Sequence, residues 1–205
     1  MSNTNSPFGL RLIKMLTGDS GNVSIRRYRV SDSNALYLGD PVERVTSSSQ
    51  LASPLLNQVD GTEFVKRAAG ADNQMILGVV IGFVFDPANL AANYITAAAA
   101  TAYQNDVLVC DDPNAIFEIQ SDVTGIAYTD LGKNCLMTVT AGSTTTGVSK
   151  CVATGAAADA SYPLLIMGFS KDPKNDITSA PYVKIVVKIN NHQLNIGAGY
   201  GALGV

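Results

Sequence analysis

The sequence has no tryptophan, one histidine and three cysteines among its 205 residues, and only 15% of them are charged. An ordinary globular protein carries roughly 25% charged residues. A hydrolytic triad needs an acid and a nucleophile gathered around an imidazole. The sole histidine, His192, has neither a GxSxG segment nor a signature around any cysteine to go with it. Four Cys and His residues in all, none clustered, are poor material for zinc. The only glutamates, Glu43, Glu63 and Glu118, fall in alternating strand-like patterns that read as solvent-facing, so no carboxylate pair for glycoside chemistry stands out. No GxxxxGK[ST] loop is present, and no phosphate cradle is expected. These shortages disfavour most enzyme classes. No catalytic residue, cofactor or metal is expected.

Long apolar runs are missing as well. The longest, Met75 to Phe85, is interrupted by Gly78 and Gly82. It is too short for a bilayer, which takes roughly 20 residues. The opening Met-Ser-Asn-Thr-Asn-Ser-Pro has no basic region ahead of an apolar stretch. The expectation is a soluble chain made in a reducing cytoplasm, with no membrane contact. Cys110, Cys135 and Cys151 form no CxxC and are odd in number, so they read as small buried thiols on strands.

Small neutral residues fill the space left by charge: 24 Ala, 18 Gly, 16 Ser, 15 Thr and 15 Asn. Such a weakly charged surface suits a protein packed against other proteins. The net charge of −3 is unevenly spread. Residues 1–30 hold Arg11, Lys14, Arg26, Arg27 and Arg29 against Asp19 alone, and the remainder is acidic. Three readings of the basic start are open: a solvated strand face, a contact to an acidic protein, or a thin nucleic-acid footprint, the last disfavoured.

Strand-like runs between turn signals recur along most of the chain. Ser24–Val30 alternates, with Ile25, Arg27 and Arg29 on one face and Arg26, Tyr28 and Val30 on the other. Met75–Phe85 is continuous, as expected of a strand buried on both faces. Its alternation places Val79, Ile81 and Phe83 on one side and Val80 and Val84 on the other. Further strands are expected at 36–38, 42–46, 62–66, 106–110, 115–120, 135–140, 148–152, 162–169 and 182–189. About ten short strands at such spacing predict an all-β fold, a jelly-roll-like β-sandwich.

Ser121–Leu131 predicts one short helix of two turns, capped at Ser121 or Asp122 and stopped by Gly132. Residues 90–103 read as irregular or as a buried helix. The domain plan is an N-terminal arm at 1–20, a single sandwich at 21–190 and a Gly-rich tail at 191–205. Asp111-Asp112-Pro113-Asn114 reads as turn chemistry rather than a hard-cation loop.

Five stretches carry a resemblance. They are Asn5-Ser-Pro-Phe-Gly-Leu-Arg11, Leu38-Gly-Asp-Pro-Val42, Ile76-Leu-Gly-Val-Val80, Val109-Cys-Asp-Asp-Pro113 leading into Phe117-Glu-Ile-Gln120, and Ile189-Asn-Asn-His-Gln193 before a Gly/Ala tail. Together they resemble a family of capsid cement, or decoration, proteins of short-tailed phages, including cyanophages. The resemblance implies a jelly-roll-like fold, a homotrimer on the outside of the virion head, and the major capsid (coat) protein as partner. On that expectation the apolar N-terminal stretch contributes the contact, with Phe8, Leu10, Arg11, Leu12 and Lys14 as its candidate residues. It acts either as an arm laid in a groove of the coat or as an edge strand of the protein's own sheet. The alternative function is a host-surface, glycan-binding domain of a fibre or head appendage.

Overall fold

The computed structural model describes residues 3–16, 23–31, 34–45, 63–84, 93–96, 106–178 and 181–195. The fold is all-β, and among these residues eleven strands form two units. The first is an antiparallel six-stranded sheet in the spatial order β1 (Arg11–Met15), β7 (Ala115–Gln120), β11 (Lys184–Ile189), β10 (Leu164–Phe169), β8 (Asn134–Thr138) and β9 (Val152–Ala157). The second is a closed five-stranded barrel of β2 (Ile25–Val30), β4 (Phe64–Arg67), β3 (Pro41–Arg44), β5 (Gly78–Phe83) and β6 (Asp106–Cys110). Closure leaves these five strands without an open edge. Only β2 and β4 run parallel within the barrel. A further bridge, Ser121 to Ala153, brings the end of β7 back against β9.

Alternation explains each core. On β7 and β11, Phe117, Ile119, Ile185, Val187 and Ile189 share the buried face with Leu164 and Ile166 of β10. Inside the barrel, Tyr28 and Val30 meet Val42, Val65, Val80, Val107 and Val109. Each such side chain contributes about 1.5–3 kcal/mol on full burial. The strand buried on two faces is β5: Val79 packs into the sheet's core and Val80 into the barrel.

A bulge corrects the expected faces further along β5. Pairing with β6 runs from Val80–Val109 directly to Gly82–Leu108, so Ile81 is the extra residue. Alternation flips past it, and Phe83 joins the barrel side with Val80 rather than following Val79. Ile81 is half-buried.

Gly78 is required by close packing. A Cβ there would stand 2.2 Å from the Cys110 carbonyl oxygen. Gly78→Ala therefore displaces β5 from β6 and is expected to lower the urea midpoint clearly. An unchanged midpoint would contradict this packing.

The helix at 121–131 is shorter than two turns, being a single 3-10 turn at Tyr128–Asp130. Asp122 accepts bonds from the Thr124 amide and hydroxyl, and Gly125 takes φ +70°, so a local turn replaces the first helical turn. Of residues 90–103 only 93–96 are described; Ile95 bridges Leu36 there. Residues 47–54 and residues 196–205 of the C-terminal tail lie outside the described residues.

Candidate contact surface and the seam beneath it

The N-terminal segment is laid along the protein's own sheet. Asn3 donates to the Asp176 and Pro181 carbonyls, while the Gln120 side chain accepts from the Ser6 amide and donates to the Thr4 carbonyl. Arg11, Leu12, Lys14 and Met15 then pair with β7 as an edge strand. Residues 11–15 are thus an edge strand of the protein's own sheet, and residues 3–6 are bonded to Gln120 of β7 and to the loop ahead of β11. Residues 191–195 are likewise docked rather than loose, through the Ile76–His192 bridge and a bond from the Gln193 amide to the Ile76 carbonyl.

The five candidate contact residues separate into two groups. Leu10 is 2% exposed and Leu12 packs against the core, so both side chains face inward and Leu10 has no surface to offer. Phe8 is half-buried with the Arg11 guanidinium 4.7 Å above its ring, and Arg11 also pairs with Glu118. Lys14 is exposed. Ile13 and Leu16, apolar residues of the same stretch, are 44% and 49% exposed. The cause is a second bulge, between Leu12 and Lys14, which makes Ile13 the extra residue and turns it outward. A strict period-two reading cannot place such a residue.

The five resembling stretches converge on one seam between sheet and barrel. The Leu10 amide donates to the Gly39 carbonyl, and Gly9 and Gly39, at φ +70° and +88°, lie against each other. A Cβ on Gly9 would come within 2.6 Å of both the Gly39 oxygen and Ser149. Gly39 and Val80 are joined through an amide-to-carbonyl bond, and Val79 pairs with Cys110. The Ile76 amide donates to the Asn191 carbonyl. Buried in this seam, Asp40 accepts from the Tyr37 amide at 3.0 Å and from the Cys151 thiol. Burial pushes its carboxyl above the usual carboxylate range. These stretches hold the architecture together.

The basic run of β2 is matched from within. Arg27 and Arg29 pair with buried Asp106, and Arg26 with buried Asp111, the acids at the two ends of β6. Asp111 also accepts from the Tyr28 hydroxyl at 2.6 Å and the Ser24 hydroxyl at 2.8 Å. Burial, and next that bond to Asp111, push the Tyr28 phenol up to about 12. The Asp111–Asn114 segment is a turn in which Asp112 accepts the Asn114 amide. Among the described residues no three His, Cys, Asp or Glu side chains gather as a metal set.

His192 is buried, accepts the Leu194 amide on Nδ1, and so carries its proton on Nε2, which has no hydrogen-bond partner among the described residues. Burial pulls its pKa from 6.5 down to about 4, against a weaker upward pull from Asp111 and Asp112. The folded state therefore favours the neutral ring. Its contribution is complete above pH 6.5 and is lost as pH falls toward 4. The loss is about 3 kcal/mol at 1.36 kcal/mol per unit. Asp40, raised rather than lowered, acts with the opposite sign, so a difference measurement is needed. Between pH 6.5 and 4, urea unfolding of the wild type should lose about 3 kcal/mol more than His192→Gln does. Parallel pH profiles would contradict it.

The three thiols are free and buried, and burial raises them to about 11 for Cys110 and about 12 for Cys135 and Cys151. A maleimide at about pH 8 should leave all three unmodified in the native protein and modify all three in denaturant. Rapid labelling of the folded chain would contradict their placement. Compared with known protein families, curated proteins and solved structures, the chain matches none.

Proposed function

We infer that the chain is a non-enzymatic virion structural protein that binds the outside of a phage capsid and cements coat subunits as a homotrimer. It is made in the host cytoplasm and ends on the capsid surface. One observation carries the reading: an exposed strand edge that mixes apolar Ile13 and Leu16 with Arg11 and Lys14, set on an all-β body. Isolated apolar side chains are normal on a surface, but two beside cations along one open edge suit a protein contact. The low charge lowers the desolvation cost of packing against coat subunits, and a trimer repeats each weak contact three times.

Two measurements test it. Light scattering should give three times the chain mass of 21.4 kDa, and a monomer mass at micromolar concentration would count against the trimer. Cosedimentation with empty coat shells should show saturable binding and raise their resistance to heat or chelation. Absence of binding would end the capsid reading.

A second reading, glycan binding, has one observation in its favour. Tyr128 is 64% exposed and stacks on Phe169 at 5.8 Å, with Leu131 and Met167 also exposed. A sugar ring can lie on such a face. Glycan-array binding lost in Tyr128→Ala would favour it over the capsid reading.

A further inference from the structure

The open edge of β1 has a chemistry that selects its occupant. β1 is the terminal strand of the six-stranded sheet, and its far side pairs with no strand among the described residues. Its sequence, Arg-Leu-Ile-Lys-Met, holds two cations and no acid. Lys14 makes no ion pair among the described residues. The Arg11 side chain is 62% exposed yet held in place by Glu118 and the Phe8 ring, so its charge is fixed at the edge. Ile13 and Leu16 stand exposed along the same strand and its end.

A strand added beside β1 would cover this apolar surface and satisfy the unpaired backbone groups of the edge. Two copies of β1 set edge to edge would bring together their exposed Lys14 side chains, which make no ion pair among the described residues, beside Arg11 residues already matched by Glu118, and like charges so placed repel a second copy. We propose that the outer edge of β1 takes an extended segment of a different protein, with acidic and β-branched residues alternating, as an added antiparallel or parallel strand. This rests on the capsid reading and names the mode of contact within it: the coat protein would supply the acidic segment. Charge complementarity then sets register and on-rate, and the covered apolar residues hold the strand in place.

The test uses the full chain and a fluorescent peptide in which Glu alternates with Val or Thr. Two control peptides carry Lys in place of Glu, or N-methyl groups on alternate backbone nitrogens. The expected result is binding of the Glu peptide only, weakened by salt, with amide-exchange protection confined to residues 11–15. Lys14→Glu, whose fold is checked by its urea midpoint, should bind about tenfold more weakly. The proposal is overturned if the Glu peptide does not bind, if the Lys or N-methyl peptide binds as well, or if Lys14→Glu binds equally. Protection elsewhere, or self-association of the chain through β1, overturns it too. Shell binding separates the two levels. Shells bound equally by wild type and Lys14→Glu defeat the edge contact and leave the capsid reading intact. Peptide binding at β1 without shell binding defeats the capsid reading and leaves the edge contact standing.

Discussion

Deletion of residues 2–16 is expected to abolish cooperative folding. The segment buries Leu10 and Met15 in the sheet core and packs Leu12 against it, while β1 covers the edge of β7. Losing the two fully buried side chains alone costs about 3–6 kcal/mol. Two buried polar groups lose partners as well: Gln120 loses Thr4 and Ser6 and keeps only its bond to the Tyr182 carbonyl, and Glu118 loses Arg11. Leaving a buried group unpaired costs about 1–3 kcal/mol. The sum is comparable to the whole stability of a domain, about 5–15 kcal/mol. Far-UV circular dichroism through a urea series should show no cooperative transition for the truncated chain. A transition at the wild-type midpoint would mean that the segment is a detachable arm after all.

Val80→Asp is expected to be as severe, and Ile81→Asp distinctly milder. Val80 is fully enclosed in the barrel between β3 and β6, where an unpaired carboxylate costs several kcal/mol or forces protonation. Ile81 lies one residue on, yet its place on the bulge leaves it half-buried with a route to water. The sequence pattern alone ranks Ile81 with Val79 as core and predicts equal damage. Urea unfolding of the two variants side by side decides the matter. Equal loss of stability would remove the bulge, and loss at Ile81 alone would put β5 one residue out of register.

The contrast between these neighbouring residues shows where sequence reasoning reached and where it stopped. Strands β6 and β7 are expected at 106–110 and 115–120 and form over those same residues, because alternation and the Asp-Asp-Pro-Asn turn between them agree. The double burial of β5 is legible in a run that holds no polar residue. Bulges leave no comparable signal, since a single extra residue depends on what the partner strand offers. Strand β9, Val-Ala-Thr-Gly-Ala-Ala, is expected instead at 148–152, and its small residues give little intrinsic preference for a strand. Pairing with β8 and the bridge to Ser121 place it in the sheet.

At the contact surface, residue type was readable and direction was not. Phe8, Leu10, Leu12, Arg11 and Lys14 read from the chain as one adhesive patch, yet the fold takes Leu10 and Leu12 inward. The seam of Gly9, Gly39, Gly78 and Asp40 draws together stretches far apart in sequence, and only tertiary packing brings them side by side.

Electron cryomicroscopy of empty coat shells incubated with the purified chain tests the central claim most directly. Ordered density is expected on the outer surface at local three-fold positions, with β1 and its flanking residues facing coat subunits. Shells that remain bare at saturating concentration would contradict the capsid reading, and density that meets the coat through a face remote from β1 would contradict the edge contact.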